Sequence, residues 1–80
     1  MKKFEVRFVD SNDQWYDHVF ESNDIDTLIK LFNEQRFIYL PGEVYSVHSK
    51  KYRSHTFLNM DSITSITIEE VLFDETTWNL

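Results

Sequence analysis

Asn23-Asp24-Ile25-Asp26-Thr27-Leu28-Ile29-Lys30-Leu31-Phe32-Asn33-Glu34-Gln35 decides the fold, because it is the one stretch with a clear helical rhythm. Ile25, Leu28, Ile29 and Phe32 fall at i, i+3, i+4 and i+7 and form one apolar stripe, while Asp24, Asp26, Lys30 and Glu34 lie elsewhere on the wheel. The spacing predicts a helix over about 23–35. Asn23 is its expected N-cap, with Asp26 three positions on in a capping-box-like arrangement. Asp24 and Asp26 also suit the positive end of the helix dipole. On both sides the sequence alternates like β-strand, so the helix is expected to cover a sheet.

Working outward toward the N-terminus, Phe4, Val6 and Phe8 alternate with Glu5 and Arg7. Asp10-Ser11-Asn12-Asp13 is a turn cluster, and Trp15 to Glu21 reads as a second strand. Side-chain chemistry sets the register. Pairing Phe8 with Tyr16, Val6 with His18 and Phe4 with Phe20 makes one face apolar and puts Arg7 opposite Asp17 and Val9 opposite Trp15. A slip of one residue would set Val6 against Asp17 and spoil both faces.

Toward the C-terminus, Phe37-Ile38-Tyr39-Leu40 is a short apolar run that Pro41-Gly42 is expected to break. Glu43 to His48 and Arg53 to Leu58 are expected to form a hairpin with its tip near Lys50-Lys51-Tyr52, Tyr45 facing Phe57 and Val44 facing Leu58. Asn59 to Ser62 turns into a last strand over 63–72, with Phe57 opposite Ile66, His55 opposite Ile68 and Arg53 opposite Glu70. Residues 74–80 lack periodicity but hold Trp78 and Leu80, a flexible or docking tail. The fold class is therefore α+β: a small single domain of order β-β-α-β-β-β-β, with an antiparallel or mixed, strongly curved sheet packed against one helix. A half-barrel plugged by the helix is the main variant.

Eighty residues allow one modest core and little room for a deep internal active site. Seven Phe, four Tyr and two Trp give that core large side chains. Without cysteine there is no disulfide and no thiolate metal site. Met1-Lys2-Lys3 leads into Phe4-Glu5-Val6-Arg7, too charged for a signal-peptide core, and no apolar run reaches membrane length, so a soluble cytoplasmic protein is expected. The net charge of −6 is unevenly spread. Asp10, Asp13, Asp17, Glu21, Asp24 and Asp26 occupy residues 10–26 without a Lys or Arg, and residues 61–80 are likewise free of bases. A small basic tip sits at 50–53. Acidic surfaces repel phosphate backbones and attract proteins that bind them.

Candidate chemistry is sparse. His18 and His55 are expected on the apolar face and His48 on the other, but none has the local spacing of a metal site, so a half-buried histidine bonded to backbone is the favoured reading. The carboxylates sit at turns, at the helix start and in the tail, solvated places where general acid–base groups are not made. A single glycine cannot build a phosphate loop. No enzyme activity and no cofactor are expected. Alternating Tyr and Phe beside Lys50-Lys51-Tyr52-Arg53 raise a single-strand nucleic-acid-binding sheet, but the charge balance favours aromatics as core and lysines as solubilisers.

The acidic block is the most specific feature. Trp15 lies on the outer face among its carboxylates, an aromatic anchor with an acidic rim. In size, charge and lack of catalytic motifs the chain resembles the small acidic proteins of phages and mobile elements that inhibit host defence nucleases, and toxin-immunity proteins. That resemblance implies an inhibitor that places carboxylates where phosphates would sit. The leading expectation is thus a non-enzymatic module binding the basic surface of a protein partner through Asp10, Asp13, Trp15, Asp17, Glu21, Asp24 and Asp26. Single-strand binding, or a homodimer pairing exposed strand edges, are the alternatives.

Overall fold

The computed structural model describes residues 1–73. It contains β1 (Lys2–Asp10), β2 (Trp15–Ser22), α1 (Ile25–Glu34), β3 (Phe37–Val47), β4 (Lys50–Asn59), a 3₁₀ turn (Met60–Ser62) and β5 (Ile63–Val71). The order of strands around one helix is the expected one. Strands make up 64% of the described residues, so the domain is mostly β, and it holds two antiparallel sheets that are not strongly curved. One sheet runs β2-β1-β5; the other is the two-stranded ribbon β3-β4. No described helix is long and apolar enough to cross a membrane. The expected tail with Trp78 and Leu80 lies outside the described residues.

β1 is the central strand. Its pairing with β2 has the expected register, including Phe8 with Tyr16, Arg7 with Asp17 and Val9 with Trp15. Phe4, Val6 and Phe8 are at most 2% exposed, because both neighbouring strands and the elements above cover them. On its other side β1 pairs with β5, matching Val6 to Ile68 and Phe8 to Ile66. This corrects the expected β4–β5 hairpin. Ile66 and Ile68 pack beside the buried β1 residues, whereas Phe57 is 66% exposed, so β5 buries its apolar face better here than it would against β4.

α1 and the base of the ribbon share the inner face of this sheet. Leu28 and Phe32 enter one cluster with Phe4, Val6, Phe8, Ile38, Leu40 and Leu58. Phe32 meets Phe8 and Phe20 edge-on at 5.2 and 5.3 Å, the geometry that aromatic quadrupoles prefer. The expected four-residue stripe is only half used, since Ile25 and Ile29 stay 42% and 43% exposed. The ribbon takes the rest of the face.

Two local expectations are corrected. The helix is capped by Asp24, not Asn23: its Oδ1 accepts from the Thr27 backbone N–H and from the Thr27 hydroxyl, both at 2.8 Å. Asp26 thus falls one position early for the expected capping box. At the other end Gln35 turns extended while its N–H still reaches the Leu31 carbonyl. Pro41-Gly42 does not end a strand either. β3 runs through it, and the register shifts there, from Pro41 opposite His55 to Val44 opposite Arg53. Gly42 and Glu43 together face Ser54, the two-against-one count of a β-bulge. A Cβ on Gly42 would lie 2.7 Å from the Ser54 carbonyl oxygen, so only glycine fits.

The hairpin register follows from its turn. His48 and Ser49, with φ of 50° and 65°, form a two-residue connection between Val47 and Lys50. That conformation usually calls for Asn-Gly. The expected pairs Tyr45–Phe57 and Val44–Leu58 are replaced by Tyr45 with Tyr52, Tyr39 with Phe57 and Ile38 with Leu58.

Candidate functional site

The structure distributes the acidic block over three sites and gives half of it local work. Asp10 closes the β1–β2 turn, accepting from the Asn12 and Gln14 N–H groups at 2.8 and 3.0 Å. Asp13 takes a left-handed φ of 60° in the same turn, a conformation that Asp tolerates. Asp17 receives two hydrogen bonds from Arg7, at 2.7 and 2.8 Å. Asp24 caps α1. The hydrogen bond from Arg7 holds the Asp17 carboxyl below its ordinary value, and raises Arg7 in return. The backbone and then the hydroxyl of Thr27 do the same for Asp24. The side chains of Asp13, Glu21 and Asp26 are exposed and make no hydrogen bond or ion pair among the described residues.

The outer face of the three-stranded sheet gathers the rest. Alternation along the strands sets it: where Phe4, Val6 and Phe8 go in, Glu5 and Arg7 go out. In cross-strand rows the face presents Trp15 with Val9 and Ser65, Asp17 with Arg7 and Thr67, Val19 with Glu5 and Glu69, and Glu21 with Lys3. Trp15 and Val19 are 59% and 50% exposed. The Arg7 guanidinium lies 4.2 Å from the Trp15 ring centre, a cation–π contact that fixes one face of the indole. Glu5 directly opposes Glu69, a like-charge pair that costs sheet stability. Glu5, Arg7, Asp17 and Glu69 also border a cleft that Pro41 and Glu43 complete.

Trp15, Asp17 and Glu21 thus share one face, while Asp24 and Asp26 belong to the helix start. Sequence reasoning missed Glu5, Glu69 and Glu43. The signal was the β1–β5 pairing, which local alternation cannot reveal. Among the described residues no group of three His, Cys, Asp or Glu could hold a metal. His18 is half-buried, with its ring edge-on to Phe20 at 4.9 Å. His55, expected inside, is exposed on β4 and shares a 2.6 Å hydrogen bond with the Tyr39 hydroxyl through Nδ1.

The aromatics expected in the core are the larger correction. Phe37, Tyr39, Tyr45, Tyr52 and Phe57 are all between 43% and 66% exposed, and all belong to the ribbon. Ile38, Leu40 and Leu58 take the inward positions of that ribbon, and the period of two leaves Tyr39 and Phe57 outside. The chain matches no protein-family model, no curated protein and no solved structure.

Proposed function

We propose that the protein is a non-enzymatic binding module whose partner is a protein with a basic surface, and that the outer face of the β2-β1-β5 sheet receives it. The observation that carries this reading is an exposed Trp15 beside an exposed Val19, on a face where Glu5 directly opposes Glu69 and the neighbouring base, Arg7, is already engaged by Asp17. An aromatic anchor with a charged rim is the usual anatomy of an interface. A like-charge pair held at a cost to the sheet is relieved when a partner's Arg or Lys comes between. Arg7 on Trp15 already displays the geometry that such a guanidinium takes on an indole. Asp13 and Glu21 extend the acidic rim, and Asp26 stands apart at the helix start; Asp10, Asp17 and Asp24 shape the surface by holding turn, strand pair and helix start. The module then acts as an inhibitor of the kind that covers a basic nucleic-acid-binding surface.

Deca-arginine serves as the probe, followed by heteronuclear NMR titration of the full chain. Shifts are expected to concentrate on Trp15, Val19 and the two strands flanking β1's Glu5, and to weaken with added salt. The Glu5→Gln/Glu69→Gln double variant should reduce the affinity several-fold, and Asp61→Asn, beside Arg36, should leave it unchanged. Shifts spread evenly over every acidic residue would overturn the proposal.

A further inference from the structure

A second surface lies on the ribbon, and its composition is the opposite of the acidic face. The register and the period of two put Lys51, Arg53, His55 and Phe57 of β4 on one face, with Tyr39 directly across from Phe57 and Pro41 across from His55. This face points away from the core, because Ile38, Leu40 and Leu58 occupy the alternate positions and are 5–6% exposed. Tyr39 packs against Phe57 at 5.0 Å and stacks on His55 at 5.8 Å, where the hydrogen bond to Nδ1 also holds its hydroxyl. The aromatic group is therefore fixed on a strand pair anchored from behind.

Charge points the same way. Lys2, Arg7, Lys30 and Arg36 each have a carboxylate within 4.0 Å. Lys50, Lys51 and Arg53 have none among the described residues, and Glu43 is the one carboxylate on the ribbon. Residues 43–55 are all exposed. Lys51 stands seven residues along β4 from Leu58, roughly 23 Å of strand beyond the core, against a screening length of about 8 Å at physiological salt. The tip thus stands more than a screening length beyond the core, while Glu43 and the cleft it shares with Glu5 and Glu69 lie nearer the ribbon's base.

We infer that this ribbon face binds single-stranded nucleic acid, with bases stacking on Phe57 and Tyr39 and phosphates meeting Arg53 and Lys51. Stacking on aromatic rings beside a cationic track is how sequence-tolerant single-strand binders work. Strand side chains two apart are about 7 Å apart, a spacing that an unstacked strand can follow base by base. A second copy fits this face poorly, since pairing two such faces brings four cations, Lys51 and Arg53 of each copy, together.

Fluorescence anisotropy with a short labelled oligo-dT, using the full chain at low salt, tests the site. Saturable binding is expected. Phe57→Ala should weaken it by about 5- to 150-fold, the worth of one stacked base, with an unchanged melting curve. Lys51→Gln/Arg53→Gln should reduce the slope of log affinity against log salt by about 1.4. Tyr45→Ala, at the opposite register parity, should leave both quantities as they are. The inference is overturned by absence of binding at low salt, by binding indifferent to Phe57→Ala, or by polyglutamate binding as tightly as the oligonucleotide. A wild-type dimer that Phe57→Ala converts to monomer, without oligonucleotide binding, would assign the face to a second copy instead.

Discussion

β1 and the β3–β4 ribbon carry the same kind of sequence and end in opposite situations. In β1, Phe4, Val6 and Phe8 alternate with charged residues and are at most 2% exposed. In the ribbon, Tyr39 and Phe57 alternate just as regularly with Ile38, Leu40 and Leu58, yet they lie outside. The difference comes from neighbours. β1 is hydrogen-bonded on both sides and covered by α1 and the ribbon base, so its apolar face has nowhere else to go. The ribbon has two strands only, one face on the core and one without cover among the described residues. Alternation states that a strand has two faces. Which of two apolar faces is buried depends on what lies above each.

Truncating one aromatic in each place separates the two situations most strongly. Phe8→Ala removes a ring with no exposure that contacts Phe20 and Phe32 edge-on. It should cost about 3–5 kcal/mol, a large share of what a domain of this size has. Phe57→Ala removes a ring that is 66% exposed and should change stability by no more than about 0.5 kcal/mol. Urea titrations of both variants give the two values. Similar losses would mean that the ribbon's outer face is part of the core after all.

A smaller effect separates the ribbon from the body within one molecule. Gly42→Ala would bring a Cβ to 2.7 Å from the Ser54 carbonyl oxygen and 2.9 Å from the Ser54 Cβ. Because one of these is backbone, the bulge has to move, at about 1–3 kcal/mol. Hydrogen exchange should show the loss in the amides of residues 43–55, while those of β1 keep their protection. Equal loosening of β1 would show that ribbon and body open as one unit.

How far the sequence could be read follows the same division. The β1–β2 register was legible because Arg7–Asp17 and the Phe4, Val6, Phe8 series leave one pairing that suits both faces. The helix was legible from Leu28 and Phe32, though its cap was misplaced by one residue, since Asn23 and Asp24 are both good caps and Thr27 decides between them. The ribbon was not legible, for two reasons. Its turn uses His48-Ser49 at positive φ, without the glycine that marks such a turn, and Pro41-Gly42 signals a break where a bulge carries the strand through. A turn near Lys50-Lys51-Tyr52 would face Phe57 and His55 inward and pair β5 with β4, whereas the turn at His48-Ser49 leaves both side chains outside and β5 on β1. Of the binding face, Trp15 and Asp17 could be read locally; Glu5 with Glu69 needed the long-range β1–β5 pair.

The smallest expected effect concerns pH and again divides the molecule. The two carboxyls held below their ordinary value, Asp17 and Asp24, both belong to the body, by a strand pair and a helix start. A depressed carboxyl contributes stability that is present above its unfolded value, near 3.8, and is lost as pH falls through the lower folded value. Acidification below about pH 4 should therefore loosen α1 and the β1–β2 pair. Amides over residues 43–55 should be left as they were. Asp24→Ala removes the cap and should lower Tm by about 5 °C at neutral pH. The gap to wild type should close as the pH is taken below the ordinary carboxylate range, because the protonated Asp24 caps less well. A gap that stays constant to pH 2 would assign the loss to the missing side chain's packing rather than its charge, and the helix start would then owe nothing to the carboxylate's ionisation.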